Sequence, residues 1–100
     1  MAEALLSIQI LPKTGAGEDI IPYVDRAIEI IRASGVPYRV GPLETTMEGS
    51  LDELFAIVKK MHAAMFEMGS PQVISQIKLL VSGSGDVSIG KLLEKYPDGR

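Results

Sequence analysis

The sequence predicts an α+β domain in which two helices cover one face of a four-stranded antiparallel sheet. Three observations carry that reading: short runs with apolar residues at every second position, two longer runs with apolar residues three and four apart, and their succession in the order β-α-β-β-α-β. That order is the split βαβ arrangement called ferredoxin-like.

From Ala4 to Leu11, the residues Leu6, Ile8 and Ile10 alternate with Leu5, Ser7, Gln9 and Leu11, so the first strand has one apolar and one mixed face. Pro12 is expected to end it, because proline cannot donate to a ladder. After Gly15-Ala16-Gly17, the residues Ile20, Val24, Ala27, Ile28 and Ile31 recur at helical spacing. Glu18 and Asp19 place negative charge at the positive end of that helix, Pro22 is tolerated in its first turn, and Gly35 closes it.

Val36–Val40 and Leu43–Glu48 read as two short strands around Gly41-Pro42, a hairpin or tight corner. Ser50 and Glu53 then have the spacing of a capping box, in which each side chain satisfies a free amide at a helix start. The helix they open carries Leu51, Leu54, Phe55, Val58, Met61, Met65 and Met68 on one broad face and stops at Gly69, with Pro71 beyond. A last long strand is expected from Gln72 to Val81, followed by a short helix from Ile89 to Tyr96, capped by Ser88 and stopped by Pro97. No repeat or linker divides the chain, so residues 1–100 are read as one ferredoxin-like domain.

Composition narrows the function. Hydrophobic residues make up 46% and charged residues 23% of the chain, a balance that supports a core. The net charge is −3 and the Lys and Arg residues are scattered, not gathered on one stripe, whereas a phosphate backbone needs clustered cations, so no nucleic-acid partner is expected. The absence of cysteine excludes disulfides, thiolate nucleophiles and Cys-ligated zinc, and suits the cytoplasm. The N-terminal segment lacks a basic n-region and no apolar run approaches the ~20 residues of a membrane span, so neither a signal peptide nor a membrane partner is expected.

The candidate catalytic motifs are incomplete. Gly85 to Lys91 matches most of a phosphate-binding loop, yet Leu92 stands where a hydroxyl must hold magnesium. His62 is the only histidine and has no carboxylate at metal-site spacing, and no serine sits in a nucleophile elbow. No catalytic residue, metal or cofactor is expected. The polar residues within strands are more informative: Ser7 and Gln9 on the first, Glu44, Thr45, Thr46 and Glu48 on the third, Gln76 and Lys78 on the last. Such groups either face solvent or must find hydrogen-bond partners, from a ligand or an interface.

Ser7 to Pro12, Val24 to Glu29, and Tyr38-Arg39-Val40-Gly41-Pro42 followed by Thr45-Thr46-Met47-Glu48-Gly49 strongly resemble the YkoF-like thiamine-binding family over almost the whole chain. The resemblance implies a ferredoxin-like protomer, assembly into dimers and tetramers, and a small-molecule ligand, thiamine or its hydroxymethylpyrimidine portion, bound without reaction. It also implies the ligand-binding positions Gln9, Thr45, Thr46 and Glu48. Hydrogen-bonding side chains suit the aminopyrimidine, Phe55, Phe66 and the methionines could supply apolar walls, and Glu48 could face the cationic thiazolium. Thr45 and Thr46 point to opposite faces, so a pocket on one side takes only one of them unless a bulge or subunit boundary intervenes.

Two other readings belong to different classes: a small cofactor-independent enzyme on a dimeric scaffold, with Glu48 or His62 as the acid–base group, and an allosteric or structural module acting through a protein partner. A homo-oligomer, a tetramer built from dimers, is expected, because the last strand carries apolar residues on both faces: Val73, Ile77 and Leu79 toward the helices, Ile74 and Leu80 away from them.

Overall fold

The structure, a computed structural model, describes residues 2–94 together with Tyr96. Its elements are β1 (Ala4–Pro12), α1 (Ile21–Ser34), β2 (Tyr38–Val40), β3 (Thr45–Gly49), α2 (Leu51–Glu67), β4 (Val73–Val81) and α3 (Ile89–Leu93). The strands form one antiparallel sheet in the order β2-β3-β1-β4, the ferredoxin-like arrangement. Among the described residues no helix is long and apolar enough to cross a membrane.

The register assigns every strand side chain to a face. Leu6 stands opposite Met47 and Leu79, and Ile8 opposite Thr45 and Ile77, so the even-numbered residues of β1 define the side that α1 and α2 cover. There Leu6, Ile8 and Met47 join Ala27, Ile31, Leu54, Met61 and Met65 in one core. Truncating a leucine buried as completely as Leu54 costs about 2–5 kcal/mol, because the cavity only partly collapses.

The helix ends follow from local chemistry. The expected capping box opens α2: the Glu53 amide donates to Ser50 Oγ at 3.1 Å and the Ser50 amide to Glu53 Oε1 at 3.1 Å. Glu3 adds a third acceptor, taking the Leu51 amide at 2.7 Å. At α1, Asp19 Oδ1 accepts from the Ile21 amide at 2.9 Å, and Gly35 closes the helix at φ 82°, a conformation that a Cβ would strain.

Several boundaries differ from expectation. Pro12 belongs to β1: the Lys13 amide points to β4, where it donates to the Gln72 carbonyl at 2.8 Å, so the nitrogen of Pro12 points to the side where β3 has already ended. β2 begins at Tyr38 because Val36 turns into the core, and β3 begins at Thr45 because Leu43 and Glu44 belong to the loop. That loop is closed by the Gly41 amide donating to the Glu44 carbonyl at 2.8 Å, and a Cβ on Gly41 would lie 2.9 Å from that oxygen.

The short helix expected over 89–96 is Ile89–Leu93, its start capped by Ser88 Oγ, which accepts from the Lys91 amide at 3.0 Å. Lys95 and the expected stop, Pro97, lie outside the described residues. α3 returns over the face that the long helices leave open, led there by pairing between Ala2 and Val87. The chain thus covers part of its own open face, and Leu5 and Ser7 are buried there.

A pocket beneath the first helix

β1 runs four residues beyond its pairing with β3, and α1 starts above this ragged end of the sheet. The space between them is a pocket of about 260 Å³. Ile8 and Ile10 form its floor, Val24, Ile28 and Ile31 of α1 its roof, and Met61 of α2 its inner end. The β2–β3 loop makes the rim, with Leu43 at its tip 77% exposed. Thr45 is the buried polar residue in this apolar wall, and Glu44 brings a carboxylate to the rim.

The four residues singled out by the sequence do not converge. Thr45 stands opposite Ile8 and faces the helix side, whereas Thr46 stands opposite Ser7 on the open face. Gln9 stands opposite Gln76, so its side chain belongs to the open face although its segment of β1 borders the pocket. Glu48 is also on the open face, and its Oε1 accepts from the Ile89 amide at 3.1 Å, holding the start of α3. The suggested aromatic walls are elsewhere too. Phe55 and Phe66 lie three turns apart on the outer side of α2, about half exposed, and neither lines the pocket.

Other polar side chains are committed to the fold. Tyr23 donates to Glu18 Oε1 at 2.6 Å and Glu18 Oε2 accepts from the Gly15 amide at 2.9 Å, and these two bonds hold the Glu18 carboxyl below the usual carboxylate range. In the loop that resembles a phosphate-binding motif, hydroxyls of Ser84 and Ser82 do the same for Asp86, so the turn is filled by its own side chains.

His62 joins α2 to the edge of the sheet. Its Nδ1 donates to the Val58 carbonyl at 2.8 Å, and its Nε2 lies within hydrogen-bond distance, 3.0 Å, of the Ser75 hydroxyl. His62→Ala is expected to lower the unfolding free energy by about 1–3 kcal/mol, the range for two such bonds, without changing ligand binding. Urea unfolding beside a binding titration checks this; a wild-type midpoint or weakened binding would contradict it.

Glu44, Val24 and Ile28, which line the pocket, escaped sequence reasoning as candidate site residues. Glu44 was visible only as one of several strand polars, and the α1 residues read as ordinary core because their spacing says that they face the sheet, not that the sheet has receded.

A family model for thiamine-binding proteins matches residues 6–96. A UPF0045 protein from Clostridium perfringens is 44% identical over 93 residues, which is 91% of this chain and 94% of that one. Among solved structures, a domain of unknown function from Bacillus cereus superposes with a TM-score of 0.87 at 38% identity, covering 96% of this chain and 91% of that one. A Thermotoga maritima protein assigned provisionally to thiamine biosynthesis or salvage superposes with a TM-score of 0.83 at 29% identity, covering 93% and 97%.

Proposed function

The chain belongs to the thiamine-binding protein family, and from that premise we propose that it is a cytoplasmic protein that binds thiamine or its hydroxymethylpyrimidine portion, without catalysis, in the pocket beneath α1. The observation that carries the reading is Thr45, a buried hydroxyl set in an otherwise apolar wall. A flat heterocycle with donors and acceptors needs such a site: apolar contact on its faces and one or a few placed hydrogen bonds. The volume of about 260 Å³ lies below the ~300–1,000 Å³ of drug-sized sites, which suits one ring with the rest of the ligand at the mouth. Glu44 at the rim is then the carboxylate that meets the cationic thiazolium, the role first assigned to Glu48.

Calorimetry of wild type, Thr45→Val and Thr46→Val against hydroxymethylpyrimidine tests this. Thr45→Val keeps the side-chain shape and is expected to weaken binding about tenfold, the equivalent of one buried hydrogen bond, while Thr46→Val binds as wild type. The reverse pattern would move the ligand to the open face, and no binding by wild type at millimolar concentration would end the assignment.

We further infer a homo-oligomer assembled through β4. This nine-residue edge strand is apolar on both faces, carries Lys78 as its one charge and has no proline, so it lacks most devices that keep edges single. The opposite edge, β2, is only three residues long. Antiparallel pairing of two β4 strands about Ile77 sets Val73 opposite Val81, Ile74 opposite Leu80 and Gln76 opposite Lys78. The same contact would bring two α2 helices together over Ile77 and Leu79, now each 41% exposed, and give Phe55 and Phe66 a partner surface. Such a dimer is the unit from which the expected tetramer would be built.

A further inference from the structure

The pocket beneath α1 has one ionisable residue in its wall, Glu44 at the rim. Lys13 and Arg39 lie close in sequence to lining residues, yet neither lines the pocket, and Arg39 stands opposite Thr46 on the other face of the sheet. Among the described residues the pocket therefore offers a ligand no cationic side chain.

The start of α1 is the other feature that could hold an anion, because the first amides of a helix are unpaired donors at the positive end of its dipole. Ile20 brings that start to the pocket wall. Here every one of those amides is already committed. The Ile21 amide donates to Asp19 Oδ1 at 2.9 Å, position 22 is a proline without an N–H, and the amides of Tyr23 and Val24 donate to the Ile20 carbonyl at 3.0 and 3.1 Å. Asp19 thus sets a carboxylate where an anion would otherwise dock. Glu18, held by the Tyr23 hydroxyl and the Gly15 amide, adds a second carboxylate to the same end of the helix.

On the premise that the pyrimidine binds in this pocket, we propose that the pocket admits the unphosphorylated compound and rejects its phosphate ester, with Asp19 and Glu44 as the specificity-determining residues. A phosphomonoester carries about −1.5 to −2 charge near pH 7. With the ring on Ile8 and Ile10 beneath Val24, the ester group stands at the mouth, loses part of its hydration and meets carboxylates in place of donors. The neutral alcohol has no charge to desolvate or to be repelled, and the cationic thiazolium is drawn by the same carboxylates. Discrimination by a repulsive element needs no added contact to the favoured ligand.

Calorimetry of the full chain with hydroxymethylpyrimidine and with its phosphate ester tests this. The ester is expected to bind wild type at least about tenfold more weakly than the alcohol, and the gap to narrow as salt screens the carboxylates. Asp19 and Glu44 are both exposed, and Asn keeps a capping oxygen, so an Asp19→Asn, Glu44→Lys double variant should fold. In it the ratio of the two affinities should move at least about tenfold toward the ester. An ester that binds wild type as tightly as the alcohol would overturn the discrimination and leave pyrimidine binding in the pocket standing. A gap that changes neither with salt nor in the double variant would mean that size rejects the ester, and would overturn the roles of Asp19 and Glu44. No binding of either compound at millimolar concentration would instead end the assignment of the pocket to the pyrimidine, and the discrimination with it.

Discussion

Val24→Phe is expected to reduce binding of hydroxymethylpyrimidine and of thiamine by at least about a hundredfold, ~2.7 kcal/mol, while leaving the protein folded. Val24 sits on the roof of the pocket and is only partly buried, outside the tightly packed core residues of α1, Ala27 and Ile31. A phenyl ring there has open space to enter and takes up a large share of about 260 Å³. Filling an existing void adds contacts instead of forcing strain, so the melting temperature should hold or rise. The effect exceeds that of Thr45→Val because exclusion removes every contact of the ring at once. Retained affinity in the variant would mean that the pyrimidine binds elsewhere. A binding loss accompanied by a collapse in melting temperature would point to disturbed packing, and Ile28→Phe, on the next turn of the same roof, then separates the two causes.

Ile77→Lys is expected to convert the proposed β4-paired oligomer into a monomer near 10.8 kDa at micromolar concentration, as measured by sedimentation. In the proposed pairing Ile77 stands opposite itself, so the substitution sets two ammonium groups face to face where two apolar chains met. The monomer should survive the change, since Ile77 lies on an edge strand at 41% exposure and a lysine can reach water there. Gln76→Ala, beside Ile77 but on the open face of the sheet, takes no apolar chain from the contact and should leave the mass unchanged. A wild type that sediments as a monomer, or an Ile77→Lys variant that keeps the wild-type mass, would refute assembly through β4.

The sequence by itself determined the fold, because each element is written in local chemistry. Alternation in Leu6, Ile8 and Ile10 set the buried face of β1, and the spacing of Leu54, Val58, Met61 and Met65 set that of α2. The Ser50 and Glu53 pair marked a helix start that the structure reproduces bond for bond. Those signals act within a few residues, so they are legible without knowing what packs where. Tertiary structure alone decided which residues line the candidate pocket. The sequence could say that Thr45 and Thr46 oppose each other, but the register of β3 against β1 turns Thr45 to the helices and Thr46 to the open face. Glu48 looked free for a cation until α3 came back across the sheet and placed the Ile89 amide against it. Phe55 fell on the expected apolar face of α2, yet the breadth of that face exceeds what a sheet ending at β4 can cover, which leaves it outside. The pocket itself arises from a mismatch of lengths, since β1 outruns β3 and α1 roofs the gap. Which residues share a void depends on where separate elements end relative to one another, and that is a property of their packing in three dimensions, encoded in no local pattern.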